Sequence, residues 1–258
     1  MAQGEVRQYL DFAAELASAS GELIGGYFQR PGLAVDRKAD RSVVTRADRE
    51  AEALMRDMIR ARFPGHGVLG EEYGEDNPGA EMKWVLDPID GTVSFIHGCP
   101  LFGTLIGLLR CGEPIVGAIH LPALGQLCLG DGSRTTLDGR EVRVRPVGRI
   151  EDATVLYTDE RLVAQHRDIA GFRRLAGRAG VLRGWGDCYG YFLLAAGFAD
   201  VMMDPIMMPW DLLPLVPVVR GAGGIITAWD GGDVLKGASA VAASPGLHRE
   251  VIAELNGP

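Results

Sequence analysis

The chain has 258 residues, 47% of them hydrophobic and 23% charged, which suits one large globular unit or two halves that share a core. Its formal net charge is −8 and it has no basic tract, which argues against nucleic acid as a partner. An acidic protein repels a phosphate unless cations intervene, so a phosphate ligand would call for bound metal.

Four cysteines, Cys99, Cys111, Cys128 and Cys188, are widely spread and form no C-x-x-C pair. This spacing argues against a disulfide scaffold or a zinc cluster and for a reducing cytosol. Residues Met1 to Glu5 lack the charged-then-apolar pattern of a signal, and no uncharged apolar run approaches ~20 residues. A cytoplasmic protein with no membrane contact is the expectation. The 36 glycines are about twice the usual ~7% share and imply many tight turns.

In chain order, Leu10, Ala13, Leu16, Ala17 and Ile24 recur at helical spacing across residues 6–28, and Pro31-Gly32 marks the stop. The polar stretch from Asp36 to Arg41 reads as an exposed loop or hairpin. A second helix is predicted over 47–62, with Ala51, Leu54, Met55, Met58 and Ile59 on one face and Phe63-Pro64-Gly65 at its end. Val68-Leu69 leads into Gly70-Glu71-Glu72, and Trp84-Val85-Leu86 reads as a buried strand. Short strands follow over 105–109, 115–119 and 126–129, with an alternating Val142/Val144 strand after Asp138-Gly139. Beyond residue 150 strands (154–157, 181–182, 201–203, 224–227) alternate with helices (162–178, 189–196, 212–220, 247–255). The pattern predicts an α+β N-terminal half, 1–145, and an α/β C-terminal half, 146–258, in one continuous unit.

Chemistry concentrates at Asp87-Pro88-Ile89-Asp90-Gly91-Thr92, directly after the apolar strand. Two carboxylates three residues apart, with Pro88 stiffening the link, repel one another unless a cation lies between them. Oxygen ligation suits magnesium or calcium better than zinc. Asp, Pro and Gly also build purely structural turns, so this stretch alone is not decisive. Two further acidic stations are Glu71 and Asp211, the latter in Pro209-Trp210-Asp211. Glu71-Glu72 also has a reading as a solvated turn, and Asp211 as a helix cap.

Taken together, Gly70-Glu71-Glu72, Asp87 to Thr92, and Trp210-Asp211 leading to Ala222-Gly223-Gly224 resemble the inositol monophosphatase superfamily of metal-dependent phosphomonoesterases. Thr45-Arg46-Ala47-Asp48 matches that superfamily's earlier T-x-x-D element, so the resemblance covers nearly the whole chain. It implies a layered αβαβα sandwich, as in inositol monophosphatases and fructose-1,6-bisphosphatases, and a homodimer. It also implies two or three Mg2+ ions held by Glu71, Asp87, the Ile89 carbonyl, Asp90 and Asp211. Glu71 and Thr92 would orient the attacking water, Asp48 would fix the Thr92 hydroxyl, and Gly91 and Thr92 would offer N–H groups to the phosphate.

Two stretches are similar to the histidinol-phosphatase branch. They are Phe95-Ile96-His97-Gly98-Cys99-Pro100-Leu101-Phe102-Gly103-Thr104-Leu105-Ile106 and Arg183-Gly184-Trp185-Gly186-Asp187-Cys188-Tyr189-Gly190. Histidinol phosphate carries an amine and an imidazole, so carboxylates suit its pocket. Asp187 and Asp204 are the candidates, beside Asp211, and Arg183 would pair with the phosphate or seat Asp187. Asp187 also reads as a helix N-cap. Inositol-1-phosphate is the second candidate substrate and 3′-phosphoadenosine 5′-phosphate the third. Val93 stands where that branch often has Lys or Arg, and Val219-Arg220-Gly221 replaces an acidic pair usual before A-G-G.

Other classes fit less well. A haloacid-dehalogenase phosphatase needs a nucleophile at the position of Pro88, and no G-x-x-x-x-G-K-[ST] loop is present. The five histidines show no H-E-x-x-H spacing. A ligand-binding protein without activity should have lost a metal carboxylate or the Thr92 hydroxyl, and none is missing.

Overall fold

The computed structural model describes residues 3–30, 32, 34–37 and 43–257. The two amphipathic patterns form α1 (Gln3–Tyr27) and α2 (Arg46–Arg62), joined through an antiparallel pair, β1 (Val35–Arg37) and β2 (Val43–Thr45). Pro31 and the Lys38 to Arg41 part of the polar stretch lie outside the described residues. A reciprocal cap starts α2: the Ala47 N–H donates to the Thr45 hydroxyl, and the Thr45 N–H donates to the Asp48 carboxylate at 2.8 Å.

Next come β3 (Gly67–Gly70), β4 (Gly74–Asp76), β5 (Met82–Asp90), the short α3 (Thr92–Ile96), β6 (Gly103–Arg110) and β7 (Glu113–Leu121). β8 (Gln126–Gly130), β9 (Thr135–Leu137) and β10 (Arg140–Glu141) complete an eight-stranded sheet in the order β10-β9-β8-β7-β6-β5-β3-β4. The second half runs β11 (Thr154–Tyr157), α4 (Glu160–His166), α5 (Ile169–Arg178), β12 (Val181–Arg183), α6 (Asp187–Ala195) and β13 (Val201–Asp204). It continues with α7 (Pro209–Leu212), α8 (Leu215–Gly221), β14 (Ile225–Thr227), β15 (Ala240–Ala243) and α9 (His248–Asn256). Its five strands lie in the order β12-β11-β13-β15-β14.

Three buried clusters stack these elements into layers. α1 and α2 set Phe12, Leu16, Met55 and Ile59 on one face of the large sheet, against Trp84, Leu86, Ile106 and Val116. α6 and α8 fill the space between the sheets, with Tyr191, Leu194, Leu215 and Val218 between Leu105 and Ile119 on one side and Met202 and Ala242 on the other. α5 and α9 cover the outer face of the small sheet through Phe172, Leu175, Val251 and Leu255. The architecture is the αβαβα sandwich. Each fully buried side chain of this size contributes about 1.5–3 kcal/mol of apolar transfer.

The structure departs from the sequence reading at several places. The helix expected over 162–178 breaks at Arg167, because the Asp168 carboxylate accepts the Ala170 N–H and starts a new helix. The helix expected over 212–220 is interrupted before Pro214, leaving α7 and α8. Pro217 then falls in the first turn of α8, where a missing N–H costs nothing, so the ~3 kcal/mol penalty of an interior proline does not arise. Val142 and Val144 lie outside the strands, and β4, β9, β10 and β15 were not anticipated.

Close approach of α8 to the large sheet depends on glycines. A Cβ at Gly117 would lie 2.0 Å from the Pro214 carbonyl oxygen, and one at Gly130 2.6 Å from the Val218 Cα. This contact seats α7, and with it Asp211, beside β5. Gly117→Ala is therefore expected to cost about 1–3 kcal/mol in urea denaturation with an unchanged m-value. A wild-type midpoint would show that α8 can retreat from the sheet at no cost.

Candidate active site

Residues 87 and 90 of a regular strand would point to opposite faces, since side chains alternate with period 2. The β5–β6 ladder pairs Asp87 with Leu105 and Asp90 with Gly103, and its register shifts between the two. This bulge, with the Pro88 carbonyl held by the Thr104 hydroxyl at 2.9 Å, restores both carboxylates to one side. Asp211 arrives from α7, where its carboxylate also accepts the Met208 N–H at 2.9 Å. Carboxylate oxygens of Asp87, Asp90 and Asp211 lie within 4.8 Å of one another. Asp211 is thus both a helix-capping group and a member of the cluster.

Glu71 follows β3, with its N–H on the Leu86 carbonyl at 3.2 Å. Its charge bears on both Asp87 and Asp211. Burial first, then repulsion from Glu71, Asp90 and Asp211, holds the Asp87 carboxyl well above the usual carboxylate range. Burial, then Asp187 and Asp211, does the same to Asp90, and burial pushes Asp211 up to about 7. Acids packed this tightly, with oxygen donors alone, fit a hard divalent cation, which would supply the missing positive charge.

A cavity of about 420 Å³ opens beside the cluster, lined among others by Glu71, Gly91, Thr92, Thr158, Arg161 and Asp187. Gly91 has φ +83°, and a Cβ there would lie 3.1 Å from the Leu101 carbonyl and 3.2 Å from an Asp187 carboxylate oxygen. Asp187 is the first residue of α6, at φ +52°, and its N–H donates to the Thr158 hydroxyl at 2.9 Å. The N-cap is Gly186, so Asp187 is a wall residue and not the cap. Burial pushes its carboxyl up to about 6. The next N–H, of Cys188, donates to the Asp90 carboxylate and ties α6 to the acidic cluster.

Other expected residues sit differently. The Thr92 hydroxyl donates to the Ile89 carbonyl at 2.9 Å, whereas Asp48 bonds the N–H and hydroxyl of Thr45. The expected Asp48–Thr92 contact is thus replaced by a helix cap, and one Asp48 oxygen stays buried without a partner. Arg183 lies exposed on the edge strand β12 and donates to the Leu182 carbonyl at 2.7 Å, so it does not seat Asp187. Asp204 is buried beneath the cavity wall, facing the Thr158 and Tyr191 hydroxyls, with its carboxyl pushed up to about 7 chiefly by burial. His97 is exposed and bonded to the Val93 carbonyl, and Val93 itself is 62% exposed at the rim. Thr158 and Arg161 were missed. Their signal was their place at the carboxyl end of β11, where open α/β sheets carry ligands.

Known proteins share this fold and much of this sequence. An inositol monophosphatase from Zymomonas mobilis has the same fold, with a TM-score of 0.86 and 32% identity over 96% of this chain and 98% of its own. A histidinol-phosphatase of Chlorobaculum parvum is 40% identical over 95% of this chain and 96% of its own length. One of Mycobacterium tuberculosis is 36% identical over 96% and 97%. Fold, acidic cluster and relatives define a metal-dependent phosphomonoesterase. The model of the inositol monophosphatase family matches residues 5–257, and the chain belongs to that family.

The raised carboxyls set a pH dependence for the metal-free protein. Asp204 and Asp211 move from 3.8 to about 7 on folding, so the folded chain binds more protons and stability falls as pH rises between those values. In EDTA, the calorimetric Tm is expected to drop between about pH 4 and pH 7, and excess divalent cation should flatten the drop. A Tm in EDTA that holds or climbs over this range contradicts the electrostatic account.

Proposed function

We propose that this enzyme uses magnesium to hydrolyse L-histidinol phosphate to L-histidinol and phosphate, as a step of histidine biosynthesis. The observation that carries the reading is the pairing of two acidic groups with different tasks. Asp87, Asp90 and Asp211 converge within 4.8 Å as a cation site, while Asp187, close enough for its charge to act on Asp90, lines the cavity as a partner for an amine.

Glu71, Asp87, Asp90, Asp211 and the Ile89 carbonyl would hold two or three Mg2+ ions. Such ions polarise phosphoryl oxygens and acidify water. The remaining work falls to the chain. The Thr92 hydrogen is committed to the Ile89 carbonyl, so the Thr92 oxygen turns its lone pairs outward to accept from the attacking water. Glu71, on the same cavity, takes the second contact to that water. Gly91 and Thr92 direct N–H groups at the phosphate. Water forms the new P–O bond as the bond to the alcohol oxygen breaks, with no covalent enzyme intermediate.

Substrate choice follows from charge. Above about pH 6 the Asp187 carboxylate is ionised and suits an ammonium group. A neutral inositol ring would leave it without a cation. Identity to the two histidinol-phosphatases also exceeds that to the Zymomonas inositol monophosphatase. We take the enzyme to be a cytoplasmic homodimer. Its four cysteines are all free, as a reducing compartment allows, and no described helix is long and apolar enough to cross a membrane.

With Mg2+, kcat/KM for histidinol phosphate is expected to exceed that for inositol-1-phosphate, and parity or reversal would move the enzyme to the inositol reading. Asp187→Ala removes a charge-assisted contact worth about 1.5–3 kcal/mol. It is therefore expected to raise KM for histidinol phosphate about 10- to 100-fold, with little effect on β-glycerophosphate. Equal effects on both esters would take Asp187 out of amine recognition.

A further inference from the structure

We propose that Glu52 is a positioning residue for Glu71, acting through the backbone of the turn that presents it, with Arg56 as its counter-charge. The inference rests on the reading of Glu71 as a cation ligand.

Asp48, Glu52 and Arg56 recur every four residues on α2, and all three are buried. Charged side chains at core positions of a helix are costly unless something specific compensates them. Glu52 has no exposed surface, yet it faces three donors. It accepts the Glu72 N–H at 2.7 Å, the Tyr73 N–H at 3.2 Å and the Arg56 Nε at 2.8 Å. Arg56 reaches onward to the Asp76 carboxylate at 3.0 Å and to the Gly74 carbonyl. Both ends of the turn between β3 and β4 are therefore held by one ion pair.

Gly70 makes the approach possible. A Cβ on Gly70 would lie 2.1 Å from a Glu52 carboxylate oxygen, and that carboxylate has no room to retreat while three donors hold it. The Glu71 N–H is separately fixed by the Leu86 carbonyl. Three consecutive backbone N–H groups, of Glu71, Glu72 and Tyr73, thus have set partners, and the direction of the Glu71 side chain follows from them. Ligands must be held within about 0.5 Å of productive geometry, and loss of a supporting group costs about 10–100-fold in metal affinity.

The test is Mn2+ affinity by EPR titration of the purified protein, with Tm in EDTA recorded beside it. Glu52→Gln cannot accept from all three donors and is expected to weaken Mn2+ binding about 10- to 100-fold. Glu52→Gln/Arg56→Met removes both charges together, so the fold survives if the single variant fails, and the same loss is expected. Gly70→Ala, which pushes on Glu52 without changing charge, should weaken binding in the same direction. Glu71→Gln is the control, and adding Glu52→Gln to it should cause no further loss, because both act through one carboxylate. Unchanged Mn2+ affinity in the folded Glu52 variants overturns the positioning role, as does a loss that adds fully to that of Glu71→Gln. If Glu71→Gln itself leaves Mn2+ binding intact, the cation-ligand reading fails, and the role given to Glu52 falls with it.

Discussion

Mutual repulsion among buried carboxylates is the constraint on which this molecule depends. Asp87, Asp90 and Asp211 are drawn from a strand and a helix far apart in the chain and held within 4.8 Å of one another. Left alone, such groups would separate or take up protons. Each is therefore pinned by something besides its neighbours: Asp87 by the Ile89 N–H, Asp90 by the Cys188 N–H and Asp211 by the Met208 N–H. The protein spends backbone donors to hold negative charge in place, an arrangement that makes sense around a cation.

The layers serve the same end. The bulge in β5 brings two acids to one side, the glycines of β7 and β8 let α8 settle close enough to bring in a third, and the start of α6 joins the second half to Asp90. With a formal charge of −8, the surface adds no attraction for a phosphate ester. Affinity for such a substrate has to arise locally, from the site and what it binds.

Much of this was legible in the sequence because it is local. Trp84-Val85-Leu86 is fully buried, as its apolar run implied, and Asp87, Asp90 and Asp211 lie within 4.8 Å of one another, with Glu71 outside that group. What escaped depends on distant partners. Ala240 to Ala243 has poor strand propensity, yet it is a strand because β13 and β14 pair with it on both sides. Asp48 was expected at Thr92, but the nearer Thr45 completes a capping box and claims its carboxylate. Arg183, in the Arg183 to Gly190 stretch, was expected to pair with the phosphate or to seat Asp187, and only the position of β12 at the sheet edge shows why it faces solvent. Glu52 and Arg56 were passed over because an apolar stripe was sought on α2, and the charged stripe beside it has meaning only once Gly70 to Gly74 is seen against it.

The most direct measurement is anomalous diffraction from crystals soaked in Mn2+ with inorganic phosphate. The account requires anomalous peaks enclosed by Glu71, Asp87, Asp90 and Asp211, with phosphate density against them in the cavity beside Asp187. Peaks elsewhere, or none while these four carboxylates point apart, would contradict it.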